Sequence, residues 1–206
     1  SLTAAQWQAV VDAHCTAPTE RYLGGHLDPE GRYRVTVLVP DPAAWRSGDR
    51  RLWCGLAANW VDPAAPATPP PSGGTGRPRP VAPLTAPVRD QSQFWTYEPG
   101  ECVGPLSRFP VPCTGPHEYE VVGQVTLPDR ERPPADSGEG SWEDVVAEPC
   151  ADRARAYLGH DPVDPWAPGW VPVGEGSWAA GKRTVTCFVG RYESGAWAQL
   201  TEPAPR

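Results

Sequence analysis

The stretch VPCTGPHEYEVV, residues 111–122, combines residue types that bind metals and transfer protons. Cys113 is followed closely by His117, Glu118 and Glu120. Cysteine and histidine at short spacing are common zinc ligands, and a histidine oriented by a glutamate can act as a general base. The stretch is therefore compatible with a metal site that uses Cys113, His117 and one glutamate, or with a hydrolytic site centred on His117 and Glu120.

Whether Cys113 is free to bind a metal depends on how the six cysteines of the chain are paired. Two blocks of sequence occur twice, in the same order and without gaps. Residues 7–24 match residues 142–159, and residues 45–54 match residues 178–187 through the pattern W-x-x-G-x-R-x-x-x-C. Such an internal repeat predicts two copies of one structural unit.

The repeat also predicts the disulfide pairs, provided that each copy is self-contained and that the two remaining cysteines bridge locally around a proline-rich turn. The predicted pairs are Cys15–Cys54, Cys150–Cys187 and Cys102–Cys113. With Cys113 in a bridge and no second histidine nearby, a zinc site lacks ligands, and no nucleophile is identifiable for hydrolysis. We therefore predict no metal, no cofactor and no catalytic residue.

The elements that position these residues begin with a helix in each copy. Thr3 and Ser141 are favourable N-caps, since glutamine or aspartate follows at the third position of each helix as a capping-box partner. Pro18 and Pro149 predict a break in each helix near its cysteine. A short second turn is then expected to end at a glycine.

Strands follow each predicted helix. Residues 32–40, 50–57 and 183–190 are rich in β-forming or alternating side chains. The predicted fold is α+β, with two small disulfide-stapled modules, each an N-terminal helix packed on a short antiparallel sheet. In the strand after His117, period two places the following residues on one face: Tyr119, Val121, Gly123 and Val125.

The composition divides the chain into three parts. Residues 1–62 form a partial first module, residues 63–88 form a proline-rich linker, and residues 89–206 form a complete second module. A cysteine hairpin precedes the helix only in the second copy, so we expect a matching hairpin upstream of Ser1 in the natural protein. The alternative is that the first module is a reduced copy.

The charge and hydropathy patterns limit the partners. The formal net charge is −7, and no basic stripe with interleaved aromatic residues occurs, so nucleic-acid binding is not expected. No apolar run is long enough to span a membrane. Because disulfides persist in oxidising compartments, the expected location is extracytoplasmic, with a membrane anchor upstream of Ser1 in the full-length protein.

The stretches GECVG and VPCTGPHEYEVVGQVTLP, followed by a Cys-Tyr helix and a W-x-x-G…C strand, resemble the septum formation domain of actinobacterial envelope proteins. The resemblance covers residues 93–192, and residues 3–57 match only its C-terminal half. The positions of this sequence that fill the family pattern are Cys102, Cys113, Pro116, His117, Glu120, Val121, Cys150 and Cys187. The resemblance implies an extracytoplasmic domain, usually tethered by one transmembrane helix and associated by name with cell division, but it implies no molecular activity.

Two further features have a structural and a functional interpretation. His117 can donate from its imidazole to a backbone carbonyl and so fix the Pro-His turn, which we favour over a catalytic role. The segment DPWAPGW, residues 164–170, reads as a proline-rich loop that presents Trp166 and Trp170 as a candidate binding surface. The alternative is that its prolines and indoles simply pack on each other.

The expected function is a non-catalytic binding or scaffolding module at the outer face of the cytoplasmic membrane. Its expected partners are envelope or division proteins, or cell-wall glycan. The first alternative is an envelope hydrolase or metal-binding enzyme centred on His117 and Glu120. The second is an extracytoplasmic sensor domain coupled to a membrane segment.

Overall fold

The computed structural model describes residues 3–58, 84, 86–104, 110–130 and 132–206. It divides into two compact units, Ser1–Phe94 and Trp95–Arg206, which are called unit 1 and unit 2 below. The boundary lies later in the chain than the 88/89 position that the sequence indicates, because Gln91 and Gln93 hydrogen-bond back into unit 1. Most of the predicted linker, residues 63–83 and 85, lies outside the described residues.

Unit 1 packs one long helix on a two-stranded sheet. The elements are α1 (Ala4–Leu23), β1 (Tyr33–Leu38), α2 (Pro42–Arg46), β2 (Trp53–Ala58) and a 3-10 turn (Val88–Asp90). β1 and β2 are antiparallel, with Tyr33 opposite Ala58 and Leu38 opposite Trp53.

Unit 2 packs a helix on a larger antiparallel sheet. Its elements are β3 (Cys102–Val103), β4 (Pro110–Val111), β5 (Tyr119–Thr126), α3 (Trp142–Leu158), β6 (Trp166–Val171), α4 (Glu175–Ala179), β7 (Thr184–Glu193) and β8 (Ala196–Trp197). The strand order is β4-β3-β5-β7-β6, and β8 pairs with β7. The α+β class and the antiparallel sheets are as predicted.

Both long helices have the predicted caps. Thr3 and Ser141 each form a capping box with the residue three positions on, and Gly24 and Gly159 end the helices in the left-handed conformation. These caps satisfy end groups that have no partner inside the helix.

The predicted breaks at the prolines are wrong. α1 continues through Pro18 and α3 continues through Pro149. Each proline removes one helical hydrogen bond. The disulfide cysteine nearby is fully buried in both helices, so packing of Cys15 and Cys150 against the sheets offsets that loss.

All three predicted disulfides are confirmed. Their Cα–Cα distances are 5.4 Å for Cys15–Cys54, 5.2 Å for Cys102–Cys113 and 5.1 Å for Cys150–Cys187. The two long bridges each join the first helix of a unit to a strand, and the short bridge lies between β3 and the segment after β4.

The prediction that β5 keeps one face over its whole length is wrong. A bulge between Val121 and Gly123 shifts the register against β7. Val121 therefore packs in one cluster with Tyr97 and Val103, whereas Val125 packs against the main core. The extra residue of a bulge turns the following side chains to the other face.

The helices of the described residues include none that is both long enough and apolar enough to cross a bilayer.

Candidate functional site

Glu120 is the centre of the candidate site, and its side chain is completely buried in the sheet of unit 2. β5 places it opposite Cys102 of β3 and Val189 of β7. A buried carboxylate is costly unless donors surround it. Three donors do so: the hydroxyl of Tyr157, the guanidinium of Arg206 at 2.9 Å and the backbone N–H of Ala204 at 2.8 Å.

Arg206 supplies the positive charge of this site. Its guanidinium stacks over the ring of Tyr157, 4.3 Å from the centroid, and also contacts the tyrosine hydroxyl. The Arg206 side chain is half-exposed, whereas Glu120 is not accessible. The arginine thus covers the carboxylate from the solvent side and neutralises it.

Gly100 lies directly against this cluster. It has a φ of +94°, and a Cβ there would lie 3.3 Å from the Tyr157 hydroxyl. A larger residue would strain the backbone and push the tyrosine away from Glu120.

His117 lies two residues before the same strand and is also completely buried. Its backbone pairs with Leu200, with N···O distances of 3.0 Å and 2.7 Å. Its Nδ1 lies 2.8 Å from the carbonyl oxygen of Gly115. Since a carbonyl only accepts, Nδ1 carries the proton and donates, which is the contact that the structural interpretation of the Pro-His turn predicts. Nε2 has no partner among the described residues.

The side chains of His117 and Glu120 therefore hydrogen-bond to backbone groups and not to each other. His117 fixes the turn before β5, and Glu120 binds the segment 200–206 through Ala204 and Arg206. Within the described residues the imidazole and the carboxylate share no hydrogen bond. Nε2, the nitrogen left for proton transfer, is out of reach of solvent, so a substrate has no access to it in this arrangement.

The cysteines that a metal site here would require form a disulfide with each other. The sulfurs of Cys102 and Cys113 and a carboxylate oxygen of Glu120 lie within 4.8 Å of one another. However, the sulfurs are bonded to each other, and a disulfide offers no thiolate. The donor set does not fit a zinc ion, and the interpretation of Cys113 as a metal ligand is wrong.

Trp166 and Trp170 are placed differently from the sequence interpretation. Both lie in β6, which pairs with β7 along its whole length, so the assignment of this segment to a loop is wrong. Both indoles are partly buried and pack against the main core of unit 2. The segment forms a strand because Gly169 lets Phe188 approach closely: a Cβ at Gly169 would lie 2.5 Å from the ring.

Sequence reasoning missed the residues that surround Glu120. Tyr157 was visible only as part of the repeated Tyr-Leu-Gly at the end of the helix. Leu200, Ala204 and Arg206 lie in LTEPAPR, residues 200–206, which shares L-T-x-P with residues 84–87. This third similarity between the two predicted copies is the sequence signal that points to these residues.

The family model for septum formation matches residues 2–187. The chain belongs to the septum formation family. The match extends over both units, which is more than the residues 93–192 that carried the resemblance in the sequence.

Two similar proteins are known from Mycobacterium tuberculosis, one from strain CDC 1551 / Oshkosh and one from strain ATCC 25618 / H37Rv, and each is named an uncharacterized membrane protein. Each is 29% identical over 211 residues, which covers 97% of this chain and 43% of the relative. The chain thus spans less than half the length of these relatives. No solved structure matches the chain.

Proposed function

We propose that this chain is the extracytoplasmic, non-catalytic part of a membrane-anchored actinobacterial envelope protein, and that it acts as a binding or scaffolding module during septum formation. It lies at the outer face of the cytoplasmic membrane, where its partners are division or wall-synthesis proteins or the cell-wall glycan. Membership in the septum formation family and the membrane-protein names of the relatives support this placement. The three disulfides indicate an oxidising compartment.

One observation carries the non-catalytic part of the proposal. His117 and Glu120, the two motif residues with catalytic chemistry, are 0% exposed and each is used to hold neighbouring backbone. A hydrolase centred on His117 and Glu120 needs at least one of these groups to contact the substrate. A scaffold needs them only to fix the turn and the segment 200–206.

A single substitution separates a scaffold from a hydrolase. In His117→Asn, the side-chain amide can still donate to the Gly115 carbonyl, but the Nε2 position is removed. If the chain is a scaffold, cells that carry this variant in the full-length protein keep normal septa. If His117 is a base, septation fails even though the purified variant melts close to the unmodified protein.

The matched control is His117→Leu, which removes both nitrogens. We expect it to lose stability, since the Gly115 carbonyl loses its donor, at a cost of about 1–3 kcal/mol. Equal septal defects in both variants, with folding intact in the first, would overturn the non-catalytic assignment.

The location is tested separately. A fluorescent fusion of the full-length protein is expected to concentrate at septa, and an alkaline phosphatase fusion to the C-terminus of this chain is expected to be active only outside the cytoplasm. Uniform membrane fluorescence would contradict the septal role, and an inactive phosphatase would contradict the extracytoplasmic location.

A further inference from the structure

Unit 1 contains a largely apolar groove of about 320 Å³ beside β2. Three parts of unit 1 form its walls: the last turns of α1, the strand β2, and residues 84 and 86–88. The lining residues that matter below are Pro18, Tyr22, Cys54, Gly55, Leu56 and Val88. Each of the three walls has a counterpart in unit 2, and there each counterpart contacts the same strand, β5.

The β2 wall corresponds to the strand that pairs with β5. The match of residues 45–54 with residues 178–187, continued along the strand, aligns residues 54–56 with residues 187–189. In unit 2 these residues pair with β5 as follows: Cys187 with Gly123, Phe188 with Val121 and Val189 with Glu120. In unit 1, β2 pairs within the described residues with β1 alone.

The helix wall corresponds to the face of α3 that covers β5. Tyr22 aligns with Tyr157, whose hydroxyl donates to Glu120. Pro18 aligns with Arg153, whose Cδ would lie 3.2 Å from a Cβ at Gly123. The Tyr22 hydroxyl has no hydrogen-bond partner among the described residues, and the side chain is 44% exposed.

The third wall corresponds to the segment that Glu120 holds. The shared L-T-x-P aligns Val88 with Ala204, and both are buried, at 4% and 6% exposure. Ala204 donates its backbone N–H to Glu120 over 2.8 Å. An arginine follows one residue after Val88 and two residues after Ala204, so the two arginines do not align, but each lies over the aligned tyrosine. Arg89 lies 5.8 Å from the Tyr22 ring and Arg206 lies 4.3 Å from the Tyr157 ring.

We propose that this groove is a docking site for an extended β-strand of the His-x-x-Glu-Val type, which pairs antiparallel with β2 and places its glutamate against Tyr22 and Arg89. The occupant is a segment of the same polypeptide, because the corresponding strand of unit 2 is intramolecular and the relatives extend well beyond the matched region. The charges are complementary: the carboxylate meets a phenol and a guanidinium, as Glu120 does. The main-chain bonds supply affinity and the glutamate supplies specificity.

The first test uses a synthetic peptide of residues 95–127 with its disulfide formed, added to the purified chain and followed by calorimetry and by amide chemical shifts. We expect saturable binding with shifts at residues 54–56. Tyr22→Phe in the protein, or Glu120→Gln in the peptide, is expected to weaken binding at least about tenfold, since each removes a hydrogen bond to a desolvated carboxylate. The matched controls, Tyr192→Phe in the protein and Glu118→Gln in the peptide, leave the affinity unchanged.

The second test makes the contact intramolecular. The same segment is joined ahead of Ser1 through a flexible linker, which raises its effective concentration to about the millimolar range. Hydrogen exchange at the amides of residues 54–56 is expected to slow at least about tenfold, and less so in Tyr22→Phe. Unchanged exchange in the fusion overturns the proposal, as does equal protection with and without the Tyr22 hydroxyl.

A separate outcome would assign another occupant. If the unmodified chain self-associates with rising concentration and Tyr22→Phe abolishes this, the groove binds a second copy and the proposed occupant is wrong. The inference goes beyond the proposed function and is tested on purified protein. Its failure therefore leaves the septal role unaffected, and the reverse also holds.

Discussion

Units 1 and 2 contain the same order of helix, strand, short helix and strand, with a disulfide from the first helix to the last strand, yet they bury their equivalent residues to different extents. Trp178 is 2% exposed and donates its indole N–H to the carbonyl of Arg130 over 2.9 Å, whereas Trp45 is 44% exposed. β7 is bonded on both sides, by β5 and β6, whereas β2 is bonded within the described residues by β1 alone.

This difference in burial shows the role of the residues that precede helix α3 in unit 2. In unit 2, residues 95–104 and 110–130 supply β5, the strand that carries Glu120, and the segment that binds the indole of Trp178. A sheet of two strands with one helix is marginal by itself, since small units bury a small fraction of their surface. Unit 1 is thus expected to depend on its disulfide more strongly than unit 2 does. Common origin of the two units stays a prediction.

Removing the long disulfides should have the largest effect. The bridges have similar sequence separations, 39 residues for Cys15–Cys54 and 37 for Cys150–Cys187, so loop entropy predicts a loss of about 4 kcal/mol for each. We expect the double serine variant at the first pair to unfold unit 1, and the one at the second pair to leave unit 2 folded but less stable. Hydrogen exchange, read separately over residues 4–58 and 119–193, distinguishes these results. Equal loss of protection in both units would refute the comparison.

The second largest difference is expected between the stability effects of substituting the aligned tyrosines, Tyr157 and Tyr22. Tyr157→Phe leaves the buried Glu120 without its hydroxyl donor and is expected to cost unit 2 about 1.5–3 kcal/mol. Tyr22→Phe should change the stability of the chain by less than about 0.5 kcal/mol, since its hydroxyl has no partner among the described residues. Denaturant unfolding measures both. A Tyr22→Phe effect as large as that of Tyr157→Phe would show that the groove is already occupied.

The third prediction compares a glycine in each sheet and the side chain that lies opposite it on the neighbouring strand. In unit 2, Gly169 lies opposite Phe188, whose ring stacks on Tyr119 with the ring centroids 4.3 Å apart. Because the Phe188 ring is fixed by this stacking, the added methyl of Gly169→Ala would overpack the site and should lower the free energy of unfolding by about 1–3 kcal/mol. In unit 1, Gly55 faces Thr36, and a Cβ at Gly55 would lie 3.4 Å from the threonine methyl. Gly55→Ala should therefore be near neutral. Thermal melting of both variants tests this, and a larger shift for Gly55→Ala would reverse the inference.

The smallest difference is electrostatic. The hydrogen bond from the Arg51 side chain lowers the pKa of Asp49 to about 2, whereas the aligned positions in unit 2 are Lys182 and Thr184. A lowered carboxyl pKa stabilises the folded state above the ordinary value near 3.8, and this contribution is lost as the pH falls through 2. Carbon-detected NMR titration should show the Asp49 pKa at about 2 in the unmodified chain. In Arg51→Gln the pKa should move toward 3.8 but stay below it, because the backbone N–H of residue 51 still donates to the carboxylate. A normal pKa of Asp49 in the unmodified chain would contradict the contact.

The sequence predicted the local features and the covalent frame. Caps, strands and all three disulfides followed from residue types and from the repeated blocks, because these depend on neighbours along the chain or on the small number of possible pairings. The structural use of His117 was predicted for the same reason, since the Gly115 carbonyl is only two residues away.

Only the tertiary structure decided which side chains meet over long distances. Glu120 is enclosed by residues 37, 84 and 86 positions further along the chain, and no local pattern specifies such contacts. The continuity of the helices through Pro18 and Pro149, the bulge in β5 and the placement of Trp166 and Trp170 in a strand were likewise set by packing, which overrode local propensity. By itself the sequence determined where the chain turns, caps and crosslinks, and the tertiary structure determined what each unit covers and what it leaves open.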